Sequence, residues 1–170
     1  LMGQLLLIRH GQASFGAGDY DRLSKTGVEQ AGILGQRLRE ATPAPDRILC
    51  GDMRRHRQTA EGALTAMGLP AEWETERGWN EYDHVAVLSA HKPRWANQAL
   101  MKAEMAATLN PRKAFQAEFS KAMARWVCGK YDGDYPESWP AFSERVLAAM
   151  KALHESLGQS QTALVFTSGG

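Results

Sequence analysis

Three short apolar runs, each ending abruptly in glycine or charge, constrain this chain more than any other feature. Residues 5–8 (Leu-Leu-Leu-Ile) lead into Arg9-His10-Gly11, residues 48–50 (Ile-Leu-Cys) into Gly51-Asp52, and residues 163–166 (Ala-Leu-Val-Phe) into Thr167-Ser168-Gly169-Gly170. Continuous apolar runs of this length, without polar alternation, read as strands buried on both faces of a parallel sheet. Residues 71–76 are expected to hold a further short strand.

The intervening segments read as helices. Thr26-Gly27-Val28-Glu29 offers a capping box, and Val28, Ala31, Leu34 and Leu38 mark one face of a helix that Pro43 and Pro45 punctuate. Asp52 is the expected N-cap of the next helix, with Ala60, Ala63, Leu64 and Met67 on its inner face and Gly68 and Pro70 as its stop. Residues 84–140 carry mostly helical signals: Asn110-Pro111 is a helix start, and Phe115, Phe119, Met123 and Trp126 share a face read as core. Trp139, Phe142, Val146, Met150, Leu153 and Leu157 trace a last amphipathic stripe. Strands alternating with helices predict an α/β fold, a mostly parallel sheet covered on both faces. The 170 residues form one expected domain, with 84–140 as a helical insertion near the site.

Composition narrows the class. With 44% hydrophobic residues the chain can bury one sizeable core, and a formal charge of +1 argues against bulk nucleic-acid or membrane-surface binding. Cys50 and Cys128, the two cysteines, lie far apart and fit a reduced, cytoplasmic setting. No stretch approaches the roughly 20 apolar residues of a membrane span, and residues 5–8 are too short for a signal peptide. Leu1 reads as a residue added for expression, with Met2 as the native start.

Ligands of such sheets gather beyond the C-terminal strand ends. There the chain places a histidine between arginine and glycine, a second arginine-rich segment and a Ser-Gly-Gly turn. A neutral imidazole is a competent nucleophile toward phosphorus, and guanidinium forks match phosphate oxygens. His10 alone would read as a hydrogen-bonded structural histidine, but its place after a buried strand, between Arg9 and Gly11, favours chemistry; Arg55 by itself reads as a solvated helix charge. His56, His84, His91 and His154 read as surface residues without metal-ligand spacing. Gly16-Ala17-Gly18 reads as a flexible loop without the third glycine or strand-to-helix context of a dinucleotide site.

Four segments in order carry a more specific signal. Leu7-Ile8-Arg9-His10-Gly11 resembles the Arg-His-Gly signature of the histidine phosphatase (phosphoglycerate mutase-like) superfamily. The segment from Leu23 to Ala31 resembles that family's Leu-Thr-x-x-Gly-x-x-Gln-Ala helix start. Gly51-Asp52-Met53-Arg54-Arg55-His56-Arg57-Gln58-Thr59-Ala60 is similar to its Ser-x-Leu-x-Arg-Ala-x-Gln-Thr-Ala segment. Trp79-Asn80-Glu81-Tyr82 resembles the Leu-x-Glu segment that carries its proton donor. The resemblance runs from residue 5 to residue 170 and is weakest between about 84 and 140.

The resemblance implies a three-layer α/β/α fold and hydrolysis of phosphate monoesters through a phosphohistidine at His10. It assigns Arg9 and Arg55 to the phosphoryl clamp and Glu81 to leaving-group protonation, with Asp83 and Glu76 as rival carboxylates. Arg54 and Arg57 are left to solvent. Where the family has hydrophobic–Ser/Thr–His–Gly–Gly/Asn, this chain reads Phe166-Thr167-Ser168-Gly169-Gly170, so serine stands at the second histidine's place. Ser168 and Gly169 are expected to contact the phosphate in its stead. Family members continue past this point, so the chain is expected to be a C-terminally truncated version of a longer protein. No metal or organic cofactor is expected. The expected partner is a small phosphorylated substrate or a phosphoprotein, with neither nucleic acid nor membrane. Two alternatives stand beside the phosphatase reading: a weak or inactive pseudoenzyme that binds phosphorylated ligands or a protein partner, and mutase-type phosphoryl transfer.

Overall fold

A computed structural model describes residues 3–14 and 20–170. Leu1, Met2 and the Gly16-Ala17-Gly18 loop lie outside the described residues. The chain divides into two compact units, one running to Glu81 and resuming from Val146 to Gly170, the other spanning Tyr82–Arg145.

The first unit holds four parallel strands: β1 (Gln4–Arg9), β2 (Arg47–Cys50), β3 (Glu74–Thr75) and β4 (Thr162–Thr167), in spatial order β1-β4-β2-β3. The last strand in sequence therefore lies between the first two. Its residues 162–166 are all buried, as expected of a strand with neighbours on both sides. Leu164 and Phe166 pack with Ile8, Ala60, Ala63 and Leu64, while Ala163 and Val165 pack with Leu49, Trp79 and Leu153. Each large side chain so buried contributes roughly 1.5–3 kcal/mol by its removal from water.

Between the strands run α1 (Lys25–Ala41) and α2 (Arg54–Met67), and α6 (Trp139–Ser156) carries the chain back into this unit before β4. The expected inner face of α2 is observed: Ala60, Ala63, Leu64 and Met67 are buried, and Gly68 closes the helix with φ 75°. Four local expectations are corrected. β1 lies at the edge of the described sheet, with β4 as its one partner there, and Leu7 is 51% exposed on its face. Helix α1 begins at the Ser24 cap rather than at Thr26: the Ser24 hydroxyl accepts from the Gly27 N–H at 3.1 Å. Ala31, Leu34 and Leu38 lie inward as expected, Ala31 buried beside Gly27 and Gly35 and the two leucines packed against the core, but Val28 faces outward. Asp52 does not cap α2; the cap position is Met53, whose side chain makes no cap hydrogen bond.

The second unit is helical, as the sequence implies, with α3 (His84–His91), α4 (Gln98–Ala106) and α5 (Pro111–Val127) followed by the first turns of α6. Asn110 caps α5 ahead of Pro111, accepting from the Lys113 N–H at 3.1 Å. Its core gathers Val87, Leu88, Trp95, Ala122 and Trp126. The Trp126 ring lies 5.0 Å from Tyr82, 5.3 Å from Trp139 and 5.6 Å from Phe142. Among the described residues no helix is long and apolar enough to cross a membrane.

Candidate active site

Parallel pairing brings the C-terminal ends of β1, β2 and β4 to one edge. The Thr167 carbonyl accepts from the His10 N–H at 2.9 Å, and the Phe166 carbonyl accepts from the Gly51 N–H at 3.0 Å. The residues after these strands, His10, Gly51 and Ser168, become neighbours through the sheet register.

The loop after β1 is clamped from several sides. The Gly11 N–H donates to Thr59 Oγ1 at 3.1 Å, and that hydroxyl donates to the Arg55 carbonyl at 2.8 Å. The Gln12 N–H donates to Gln30 Oε1 at 2.8 Å, and Leu23 N–H to Gln58 Oε1 at 2.8 Å. Gly11 and Gly27 let α1 approach this closely: a Cβ on Gly11 would come within 2.4 Å of the Gly27 carbonyl oxygen. The glutamines, threonine and glycines of the sequence motifs thus serve to hold the histidine loop.

His10 Nδ1 lies 2.7 Å from the Gly11 carbonyl oxygen, which can only accept, so this nitrogen carries the proton and Nε2 keeps its lone pair. Burial lowers the His10 pKa from its ordinary value; the Arg55 and Arg9 charges lower it further, against the opposing hydrogen bond to Gly11. The ring is therefore neutral at physiological pH. An open cleft of about 610 Å³ runs past Arg9, His10, Gln12 and Thr59 toward Gln30 and Leu34. Arg55, Glu81 and Ser168 lie outside its lining.

Arg55 is 6% exposed, whereas Arg54 and Arg57 on the same turn face solvent. Its Nη1 donates to Asp21 Oδ1 at 2.9 Å, and its guanidinium carbon lies 5.5 Å from the Tyr20 ring centre. Its Nε has no hydrogen-bond partner among the described residues. Asp21 also supplies the cap that Asp52 was expected to give, accepting from the Arg54 N–H at 2.9 Å. Asp52 instead accepts from Arg77 Nε at 2.8 Å and from the Asn80 amide, which hold its carboxyl below the usual range. Arg9 is exposed and its side chain lies over Gly169, where a Cβ would come within 3.1 Å of Arg9 Cδ.

Glu81 is placed by its neighbours on both sides. Trp79 is buried and its carbonyl accepts from Thr167 Oγ1 at 2.6 Å, while Asn80 Oδ1 accepts from the Asp52 N–H at 2.9 Å. The Glu81 carboxylate accepts from the Gly170 N–H at 3.1 Å, at the turn that carries Ser168. The rival carboxylates are engaged as caps: Asp83 accepts from the Val85 and Ala86 N–H groups, and Glu76 from Gly78.

One expectation is overturned inside the site. His56, expected at the surface, is 0% exposed. Its ring centre lies 5.9 Å from that of His10, and its Nε2 is 2.6 Å from Ser168 Oγ. The Ser168 hydroxyl, expected to contact phosphate, is held by an imidazole. Of the other histidines expected at the surface, His154 is exposed, His84 is half-buried, and His91 is half-buried against Glu118 Oε2 at 3.0 Å. Among the described residues no group of three or more His, Cys, Asp or Glu side chains is arranged to hold a metal ion.

The model of the histidine phosphatase superfamily (branch 1) matches residues 5–170. The chain belongs to that superfamily. Its curated relatives include uncharacterised proteins from two strains of Mycobacterium tuberculosis, each 38% identical over 69 residues, 39% of this chain and 42% of theirs. The match therefore spans less than half the length of those relatives. Among solved structures, a phosphoglycerate mutase from Bacillus anthracis superposes with a TM-score of 0.60 at 18% identity, covering 97% of this chain and 74% of that one. A putative alpha-ribazole-5'-P phosphatase from Escherichia coli gives 0.60 at 22% identity, covering 98% and 74%. At such identities the likeness speaks for the fold, the parallel α/β architecture described above.

Proposed function

We propose that this protein hydrolyses phosphate monoesters through a phosphohistidine at His10. The observation that carries the reading is the His10 hydrogen bond to the Gly11 carbonyl, which leaves Nε2 unprotonated at the end of β1, beside β4. Nε2 attacks phosphorus as the ester P–O bond breaks, and the Glu81 carboxyl gives its proton to the leaving oxygen. Water then attacks the phosphohistidine, Glu81 takes a proton from it, and inorganic phosphate leaves with His10 restored. Arg55 and Arg9 face the equatorial oxygens, and the buried, unpaired Arg55 Nε supports this role: an orphaned donor costs about 1–3 kcal/mol, which a phosphate oxygen would offset. The expected substrates are small phosphorylated molecules or phosphoproteins, with Ser168 and Gly169 at the phosphate.

The test is intact-mass measurement after rapid, acid-free quenching during turnover of an aryl phosphate. One added phosphoryl group on His10, and loss of activity in His10→Ala, are expected. Label on another residue, or full activity in His10→Ala, would refute the assignment; phosphate binding without turnover would favour a pseudoenzyme.

A further inference from the structure

We propose that His56 and Ser168 form one hydrogen-bonded donor chain to the transferring phosphoryl group, His56 orienting and polarising the serine hydroxyl. The proposal rests on the reading of His10 as the phosphoryl acceptor, and its own grounds are geometric.

Ser168 Oγ has one proton to give, and His56 Nε2 lies 2.6 Å away. If serine donated to Nε2, the imidazole proton would sit on Nδ1. That atom is buried without a hydrogen-bond partner among the described residues. It lies against Gly51, where any other residue would carry a Cβ only 2.2 Å from Nδ1. An N–H pointed there would be an unsatisfied buried donor, a rarer thing than an under-used acceptor. The opposite arrangement leaves a lone pair at Nδ1 and puts the proton on Nε2, which donates to Ser168 Oγ. The serine proton is then turned away from His56 and is free to donate onward. Successive donors in a dry site polarise one another, so the hydroxyl becomes a stronger donor than a lone serine. Burial and the adjacent Arg55 keep the ring uncharged, with a pKa near 4, so this arrangement holds across neutral pH.

Three departures from the family motif meet at this contact. Glycine stands at 51 where the motif has serine, histidine at 56 where it has alanine, and serine at 168 where it has histidine. A side chain at 51 would collide with the His56 ring, so the glycine makes room for it. The imidazole absent from the end of β4 is present on α2, one hydroxyl behind the position it left.

The intact protein tests this in two ways. Nitrogen-15 imidazole shifts should show His56 protonated on Nε2 and bare on Nδ1 from pH 5 to 8; the Nδ1–H tautomer would overturn the chain. The second test measures aryl phosphatase kcat and KM together with orthovanadate affinity by calorimetry. Ser168→Ala is expected to lower kcat about 100-fold and His56→Ala about tenfold, with KM little changed. The double alanine variant should be no worse than Ser168→Ala, and His56→Ala with Ser168→His should exceed His56→Ala about tenfold. Multiplicative losses in the double alanine variant, in kcat and in orthovanadate affinity, would overturn the proposal. A wild-type protein without phosphatase activity whose orthovanadate affinity still shows the non-additive pattern would refute the hydrolase reading and uphold the pair.

Discussion

Acidification should destabilise this protein through His56 in a window set by its burial. In the unfolded chain its imidazole titrates near 6.5 like any other. In the folded protein burial is the largest obstacle to its charge, and Arg55 and His10 add repulsion. Asp21 and Asp52 pull weakly the other way, and the pKa falls to about 4. Between these values the unfolded chain binds a proton that the folded one refuses, so stability is full above pH 6.5 and is lost as pH falls toward 4. A difference of about 2.5 pKa units is worth roughly 3 kcal/mol in full, and about 2 kcal/mol of it is lost between about pH 7 and pH 5. For a chain of this size that lowers Tm by about 4–8 °C. Urea unfolding at several pH values, for wild type and His56→Gln, isolates the contribution, because His10 and the carboxylates titrate in both. The wild-type curve should fall more steeply than that of the variant by about 2 kcal/mol over this range. Parallel curves would mean that water reaches His56 and that the burial argument is wrong.

Arg55→Ala should lower kcat/KM by about 10²–10³, the usual loss for one preorganised charge-stabilising contact, while exposed Arg57→Ala changes it little. Steady-state kinetics on one aryl phosphate compares them, and equal losses would place the helix register wrongly. Glu81→Gln should slow alkyl phosphates far more than activated aryl phosphates, because only the former need a proton on the departing oxygen. Equal slowing of both substrates would leave Glu81 as no more than a partner of the Gly170 N–H.

The parallel α/β sheet and the strand ends that converge beyond it were legible in the linear chain, and the arginine singled out by motif resemblance, Arg55, is the one the fold buries. Each is a local pattern: an apolar run, a terminating glycine, a motif of fixed spacing. Helical periodicity likewise located the buried face of α2, because Ala60, Ala63, Leu64 and Met67 recur at the spacing of one helix side. What failed in the reading depended on residues distant in sequence. The cap of α2 comes from Asp21, 33 residues before Arg54. β1 stands at the edge of the described sheet, and an apolar run has the same look at an edge as in the middle. His56 stands between two arginines in a charged stretch that reads as solvent-facing, although it lies one turn before Ala60 on the same face of α2, the local signal that could have found it. Its burial follows from two longer-range facts: β4 brings Ser168 to its Nε2 from 112 residues away, and Gly51 leaves space beside its ring. Hydrogen-bond partnership is a property of what else occupies the neighbourhood, and for His56 only the folded sheet determined that Ser168 would be its partner.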